Sequence, residues 1–75
     1  MTPMQCKMAR AALDWTVKDL ADKASVGIST VVRFEAGRGK PIAATIAAME
    51  RTFEAAGIRF IENGVCFEPK GGETG

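Results

Sequence analysis

The basic side chains of the first 40 residues have the clearest binding chemistry in this 75-residue sequence. Residues 1–40 contain seven lysines and arginines against four acidic residues, and residues 41–75 contain three against five, so the two parts carry net charges of +3 and −2. Guanidinium and ammonium groups bind anions, and arginine can form paired hydrogen bonds with planar or phosphate acceptors. This asymmetry is expected where one face of a protein meets phosphates.

Candidates for catalysis or metal binding are few. The sequence has no histidine, no tyrosine and two cysteines, Cys6 and Cys66, at opposite ends. Without histidine the common zinc spacings are absent, and a cysteine nucleophile has no imidazole base. A disulfide between the termini is possible, but two free thiols are favoured. We therefore predict a protein that is not an enzyme and needs neither a metal nor a cofactor.

Length and hydropathy limit the class of protein further. A chain of 75 residues makes one domain, which buries only roughly 60% of the surface of its unfolded form. Association with a second copy is then a plausible additional source of stability. No apolar run approaches the roughly 18 residues of a membrane span, and no signal-peptide pattern opens the chain. We expect a cytoplasmic protein without a membrane partner.

Residues 16–37 contain the elements that would position the basic groups. Thr16 and Asp19 have the spacing of a capping box at a helix start. The turn that follows is expected at residues 25–27, with Val26 filling the space between two helices and Gly27 capping the next helix. Gly37 is a natural helix stop. This segment predicts two short helices joined by a tight turn, with small Ala21 at their close approach.

The second of these helices, from Ile28 to Ala36, has two different sides. At 100° per residue, Val31 and Phe34 point inward. Ser29, Val32, Arg33 and Ala36 point outward, and Ile28 lies at the boundary between the sides. The outward side is short and carries small side chains. It has the dimensions to enter a DNA major groove about 12 Å wide.

The flanking segments complete a mainly α fold. Thr2 and Pro3 are expected to open a first helix over residues 4–13, and Trp15 should form a half-buried cover on the core. Thr45 is expected to cap a fourth helix over residues 46–56. Asn63-Gly64 is a strong hairpin turn signal between apolar strands. We predict four helices plus a short C-terminal strand or hairpin (58–68) in one domain over residues 1–68, with 69–75 as a disordered tail.

With these motifs in place, residues 5–61 resemble the Cro/XRE family of phage-repressor-like helix-turn-helix proteins. The resemblance rests on Leu20-Ala21, on Ala24-Ser25-Val26, and on the run from Ser29 to Gly37, STVVRFEAG. The C-terminal part is similar to a subset of small bacterial regulators that end in a strand or hairpin. The resemblance implies a lambda-repressor-like helical bundle whose partner is double-stranded DNA.

The family pattern also implies roles for individual positions. The helix from Ile28 to Ala36 would be the recognition helix. Arg33 would be its one side chain able to grip guanine with two hydrogen bonds, because that helix has no Asn or Gln. Arg10 and Glu35 would form a structural ion pair. The implied base-reading residues are Ile28, Ser29, Val32 and Arg33, and those near the DNA backbone are Val17, Lys18, Thr30, Arg38 and Lys40.

The apolar C-terminal strands suggest a dimer, since an isolated exposed hairpin is marginal in water. The predicted interface residues are Ile58, Phe60, Ile61, Val65 and Phe67. The alternative is a hairpin folded against its own fourth helix.

Three functions remain open from the sequence. The leading hypothesis is a dimeric repressor or autoregulator on a palindromic operator. An antitoxin-type autoregulator, with the tail as its toxin-binding segment, is the first alternative. A helix-turn-helix that docks an unknown partner protein is the second.

Overall fold

The computed structural model describes residues 1–68 and contains four helices followed by one two-stranded antiparallel sheet. This confirms the predicted fold class, a lambda-repressor-like bundle with a C-terminal hairpin. The predicted disordered tail, which is also the candidate toxin-binding segment, lies outside the described residues. The elements are α1 (Pro3–Leu13), α2 (Val17–Ala24), α3 (Ile28–Glu35), α4 (Ala43–Ala55), β1 (Ile58–Ile61) and β2 (Gly64–Phe67).

The ends of the first three helices follow local signals in the sequence. Thr2 and Thr16 each cap a helix through a complete capping box, with Gln5 and Asp19 returning hydrogen bonds to the cap backbone. The hydrogen bond from the Thr16 backbone N–H helps to hold the pKa of Asp19 below its ordinary value. Past α3, Gly37 has a left-handed backbone with φ of 75°, which glycine adopts without steric cost. The predicted helix-turn-helix boundaries are therefore correct to within one or two residues.

The start of α4 differs from the prediction. The helix begins at Ala43, three residues before the predicted start, and its N-cap is Ile42, which makes no side-chain cap hydrogen bond. Thr45 lies in the first turn, where its backbone N–H donates to the Ile42 carbonyl. Alanine is the strongest helix former, so Ala43 and Ala44 extend the helix toward Pro41. The predicted Thr45 cap was wrong because propensity in this stretch outweighed a capping signal.

The hairpin turn also differs from the prediction. Ile61 pairs with Gly64, so the two-residue loop is Glu62-Asn63 and Gly64 belongs to a strand. The Nε2 of Gln5, on α1, donates to the carbonyl oxygens of both Ile61 and Gly64. That contact from a distant part of the chain holds the residue pair next to the hairpin turn. The prediction of a turn at Asn63-Gly64 was wrong because local turn preference did not decide the register.

The core lies where α2, α3 and α4 converge beneath α1. Its largest fully buried side chains are Phe53, Leu20, Met49, Val31 and Cys6. The Trp15 ring stacks on Phe53 with centroids 5.7 Å apart. Trp15 is half-buried, as predicted, and Lys23 Nζ lies over its ring, 5.3 Å from the ring centroid, as a cation–π partner. Both cysteines are free, as favoured from the sequence.

The hairpin packs on its own chain. Ile58 is buried in the core, and the Phe60 ring meets Phe53 edge-on at 6.1 Å. Phe60 and Val65 are half-buried against the core, whereas Ile61 and Phe67 are exposed. Ile58 is therefore covered within the chain and is not available to a second copy. The intramolecular packing weighed as the alternative is present, and it leaves two exposed apolar side chains on the hairpin.

Candidate nucleic-acid interface

The inner side of α3 is held in place by the rest of the chain. Val31 and Phe34 are buried in the core, and Glu35 is 8% exposed. A charged group buried to this degree needs a partner, because removing a carboxylate from water is costly. Arg10 on α1 supplies that partner: its Nε and Nη2 each donate to one carboxylate oxygen of Glu35 at 2.7 Å.

The ion pair belongs to a wider hydrogen-bond network. Arg10 Nη1 also donates to the carbonyl oxygen of Trp15 at 3.0 Å, and Cys6 Sγ donates to Glu35 Oε2 at 3.1 Å. Burial, reinforced by Glu35, raises the pKa of the Cys6 thiol far above its ordinary value, so the thiol stays protonated and remains a donor. One carboxylate thus connects α3 to α1 and, through Arg10, to the corner before α2. The sequence suggested Arg10 and Glu35, but Cys6 was predicted only to be a free thiol.

The protonation state of Glu35 follows from the same contacts. Burial by itself raises the pKa of this carboxyl, but the hydrogen bonds from Arg10 and Cys6 outweigh burial and hold the pKa below its ordinary value. Arg10 is in turn a stronger base than usual, because its hydrogen bond with Glu35 raises its pKa. Both groups are therefore charged at neutral pH.

The outer side of α3 divides into two rows of exposed side chains. Ile28 and Val32, one turn apart, are 46% and 50% exposed, and Ala36 continues their row. Ser29 and Arg33 form the second row, rotated by about 100° around the helix axis. The first row is aliphatic and the second is polar.

The polar row leads into a basic recess at the C-terminal end of α3. A recess of about 240 Å³ is lined by Thr30, Arg33, Arg38, Gly39, Lys40 and Pro41. The Arg33 guanidinium lies over Gly39, where an added Cβ would be 3.5 Å from Nη2. Within residues 1–68, none of the three cations forms an ion pair. Three unneutralised cations around one recess attract an anion, and phosphate fits their chemistry.

The residues predicted to contact the DNA backbone therefore fall into two groups. Thr30, Arg38 and Lys40 line the basic recess together with Arg33, whereas Val17 and Lys18 begin α2 and line no part of it. The Val17 side chain packs on the core, so only its backbone N–H can serve a phosphate. Lys18 forms an exposed ion pair with Asp22 at 2.8 Å, one turn along the helix.

The structural role of Gln5 was not predicted from the sequence. Gln5 is 7% exposed and holds the hairpin through two carbonyl oxygens. The signal available was the spacing from Thr2 to Gln5, which marks a capping box and places the glutamine side chain at the helix start. That signal gave no indication of the hairpin, which begins more than 50 residues later.

Other site types find little support in the described part of the chain. Among residues 1–68, no three His, Cys, Asp or Glu side chains are grouped as they would be to hold a metal ion. No helix within that range has the length and apolar character to cross a membrane.

Comparison with known proteins agrees with this geometry. Residues 7–56 match the helix-turn-helix family of the Cro/C1 type, and the matched span runs from α1 to the end of α4. No curated protein matches the chain. Members of this family are DNA-binding regulators and are not typically enzymes. The chain belongs to the Cro/C1-type (XRE) helix-turn-helix family and is a DNA-binding regulator.

Proposed function

We propose that the protein is a homodimeric, cytoplasmic repressor or autoregulator that binds a palindromic operator with α3 in the major groove. The observation that carries this proposal is the recess around Arg33, Arg38 and Lys40. Its three cations have no acidic partner within residues 1–68 and lie beside the exposed side of α3. A DNA phosphate at the recess would neutralise them and orient the helix toward the bases.

Within this proposal the outer side of α3 meets the base edges. Ile28, Ser29 and Val32 are exposed and point away from the core. The sequence suggested that Arg33 grips guanine, but its guanidinium lies beside Gly39 in the recess. That position favours a phosphate shared with Arg38 and Lys40, so we assign Arg33 to the DNA backbone.

The remaining contacts with the DNA backbone would come from Thr30 at the recess and from the start of α2. Within residues 1–68, the backbone N–H groups of Val17 and Lys18 donate to no acceptor. A helix N-terminus with free N–H groups suits a phosphate. Here the Asp19 carboxylate caps the same helix end, so we expect this contact to be weaker than that of the basic recess.

A dimer would supply the affinity that one short recognition helix lacks. Two copies related by a two-fold axis would place their α3 helices one helical turn of DNA apart, about 34–36 Å. Ile61 and Phe67, 47% and 40% exposed on the hairpin, are the apolar side chains that we assign to the contact, with the exposed parts of Phe60 and Val65. Burial of such groups is the main driving force for association.

The oligomeric state can be tested by light scattering. We expect a dimer at micromolar concentration, and we expect the double variant Ile61→Lys/Phe67→Lys to be a folded monomer, since both side chains are exposed within one chain. The matched control is Glu62→Lys, which replaces a negative charge with a positive one in the same hairpin turn without removing apolar surface. A wild-type monomer well above micromolar concentration would contradict the dimer.

The DNA-binding function is best tested by selecting bound sequences from random duplex DNA. We expect a two-fold symmetric consensus whose affinity falls steeply as salt rises, because each neutralised phosphate releases counterions. A reporter gene placed behind the selected site should be repressed by the wild type and less strongly by Lys40→Ala. If no duplex binds at low salt, the proposal fails and a protein-binding helix-turn-helix takes its place.

A further inference from the structure

The aliphatic row on α3 has a chemistry that the basic recess does not explain. We infer that Ile28 and Val32 recognise the C5-methyl groups of thymine, so that the protein selects its operator mainly through methyl contacts. This inference rests on the proposed function, because it requires α3 to lie in the major groove. It extends the proposed function by naming the chemical group on the DNA that the helix selects.

The geometry of the row supports this assignment. Ile28 and Val32 are four residues apart and therefore lie next to each other on one side of the helix, about 5–6 Å between Cβ atoms. About half of each side chain is exposed, while Val31 and Phe34 fix the opposite side of α3 in the core. The exposed aliphatic carbons are thus presented on a helix that the fold holds in place.

Polar recognition of bases by α3 is limited. The helix contains no Asn or Gln, the residues that bind adenine with two hydrogen bonds. Arg33, which could bind guanine in the same way, lies beside Gly39 in the basic recess. Ser29 is the remaining outward polar side chain, and a single hydroxyl discriminates poorly because it can donate or accept. Hydrogen bonding from this helix therefore specifies few base pairs.

The major groove offers one apolar group that suits exposed aliphatic carbons. Each base pair presents hydrogen-bond donors and acceptors in that groove, and thymine alone of the four standard bases adds a methyl group there. If Ile28 and Val32 packed against polar base edges, they would displace water from those edges without replacing its hydrogen bonds. Against thymine methyl groups, the same burial is favourable.

Charge complementarity identifies DNA rather than a protein as the occupant of this surface. The aliphatic row lies next to the polar row, whose Arg33 belongs to the recess with Arg38 and Lys40. The one acidic residue of α3, Glu35, is buried and paired with Arg10. A polyanion can therefore approach the row without meeting a negative charge on α3.

Methylated cytosine would offer this row the same contact as thymine. The methyl group of 5-methylcytosine projects from the same ring position as that of thymine. Where a selected thymine is replaced by cytosine, methylation of that cytosine should restore part of the affinity. The protein would then respond to cytosine methylation at such a position, in addition to sequence.

The test removes single methyl groups from the DNA and leaves the protein unchanged. Each thymine of the selected site is replaced in turn by deoxyuridine, which keeps every hydrogen-bonding group. We expect one or two positions in each half-site to lose roughly fourfold in affinity, the factor that corresponds to burial of one methyl-sized group. The remaining thymines should show no change.

Protein variants then assign the methyl contacts to side chains. Val32→Ala and Ile28→Ala should each bind the thymine site more weakly, and each should lose the deoxyuridine effect at one position. Lys40→Ala is the matched control: it should weaken the thymine and deoxyuridine sites by the same factor. Circular dichroism checks that these exposed substitutions leave the helices intact.

The outcomes separate this inference from the proposed function. A tightly bound site that is insensitive to deoxyuridine at every thymine overturns the inference and leaves DNA binding in place. Full DNA affinity in the double variant Ile28→Ala/Val32→Ala also overturns it and assigns the row to a protein partner. Absence of any bound duplex at low salt overturns both.

Discussion

The inner and outer sides of α3 are built in opposite ways. On the inner side, Val31 and Phe34 are buried and Glu35 is paired with Arg10. On the outer side, Ile28 and Val32 contribute exposed carbons that belong to no core cluster. The inner residues determine where the helix lies, and the outer residues determine what it can bind. Changes on the two sides should therefore have separable effects on folding and on DNA binding.

The largest expected effect comes from truncating the inner side. Phe34→Ala should lower the free energy of unfolding by about 3–5 kcal/mol, because it removes a buried ring and leaves a cavity. A domain of this size has little stability in reserve. Urea denaturation followed by circular dichroism measures the loss.

The matched control for this variant is Val32→Ala on the outer side. It should change the free energy of unfolding by no more than about 0.5 kcal/mol, as is usual for exposed positions. Equal losses in the two variants would remove the distinction between the two sides of α3.

The second prediction concerns the ion pair. Glu35→Ala should cost about 3 kcal/mol, because it leaves the Arg10 guanidinium partly buried without its carboxylate partner and removes an acceptor from the Cys6 thiol. We place the cost at the lower end of the range for buried pairs, since the Arg10 side chain is 20% exposed. Urea denaturation measures this loss as well.

A double replacement tests the cause of that loss. Arg10→Met/Glu35→Leu should recover much of the stability, because no unpaired charge remains in the interior. If the stability lost in the double variant equalled the sum of the losses in Arg10→Met and Glu35→Leu, the loss would arise from packing and not from the unpaired charge.

The third prediction concerns the basic recess and its contribution to DNA binding by the outer side of α3. Arg33→Ala and Lys40→Ala should each weaken DNA binding by roughly 1–2 kcal/mol, equally for all sequences, and each should reduce the salt dependence by about one counterion. Fluorescence anisotropy over a range of salt concentrations measures both quantities. The free energy of unfolding should not change in either variant. Loss of selectivity at one guanine in Arg33→Ala alone would restore the base-reading role suggested by the sequence.

The smallest expected effect is a change in stability with pH. The folded-state pKa of Glu35 lies below its ordinary value of 4.5, so its ionised form contributes stability at neutral pH. That contribution is complete above about pH 4.5 and is lost as the pH falls through the folded-state pKa. Urea midpoints measured from pH 7 to pH 3 should therefore fall more steeply for the wild type than for Glu35→Gln. Parallel curves would show that the carboxylate is not stabilised by its partners.

Much of the helix-turn-helix could be predicted because its signals are local. Capping boxes, the stop at Gly37 and the 100° periodicity act over three or four residues. These signals correctly sorted Val31 and Phe34 from Ser29 and Val32. The approach of Arg10 to Glu35 was available only through family resemblance, since nothing local links residues on α1 and α3.

The sequence by itself thus determined where the helices of the central motif begin and end, and which side of α3 faces inward. The tertiary structure alone decided the hairpin register, because Gln5 holds carbonyl groups 56 and 59 residues away. It also decided the position of Arg33, which turns from the outer side of α3 toward the loop at Gly39. A local pattern specifies a side of a helix, but only packed neighbours specify what a long side chain on that side can reach.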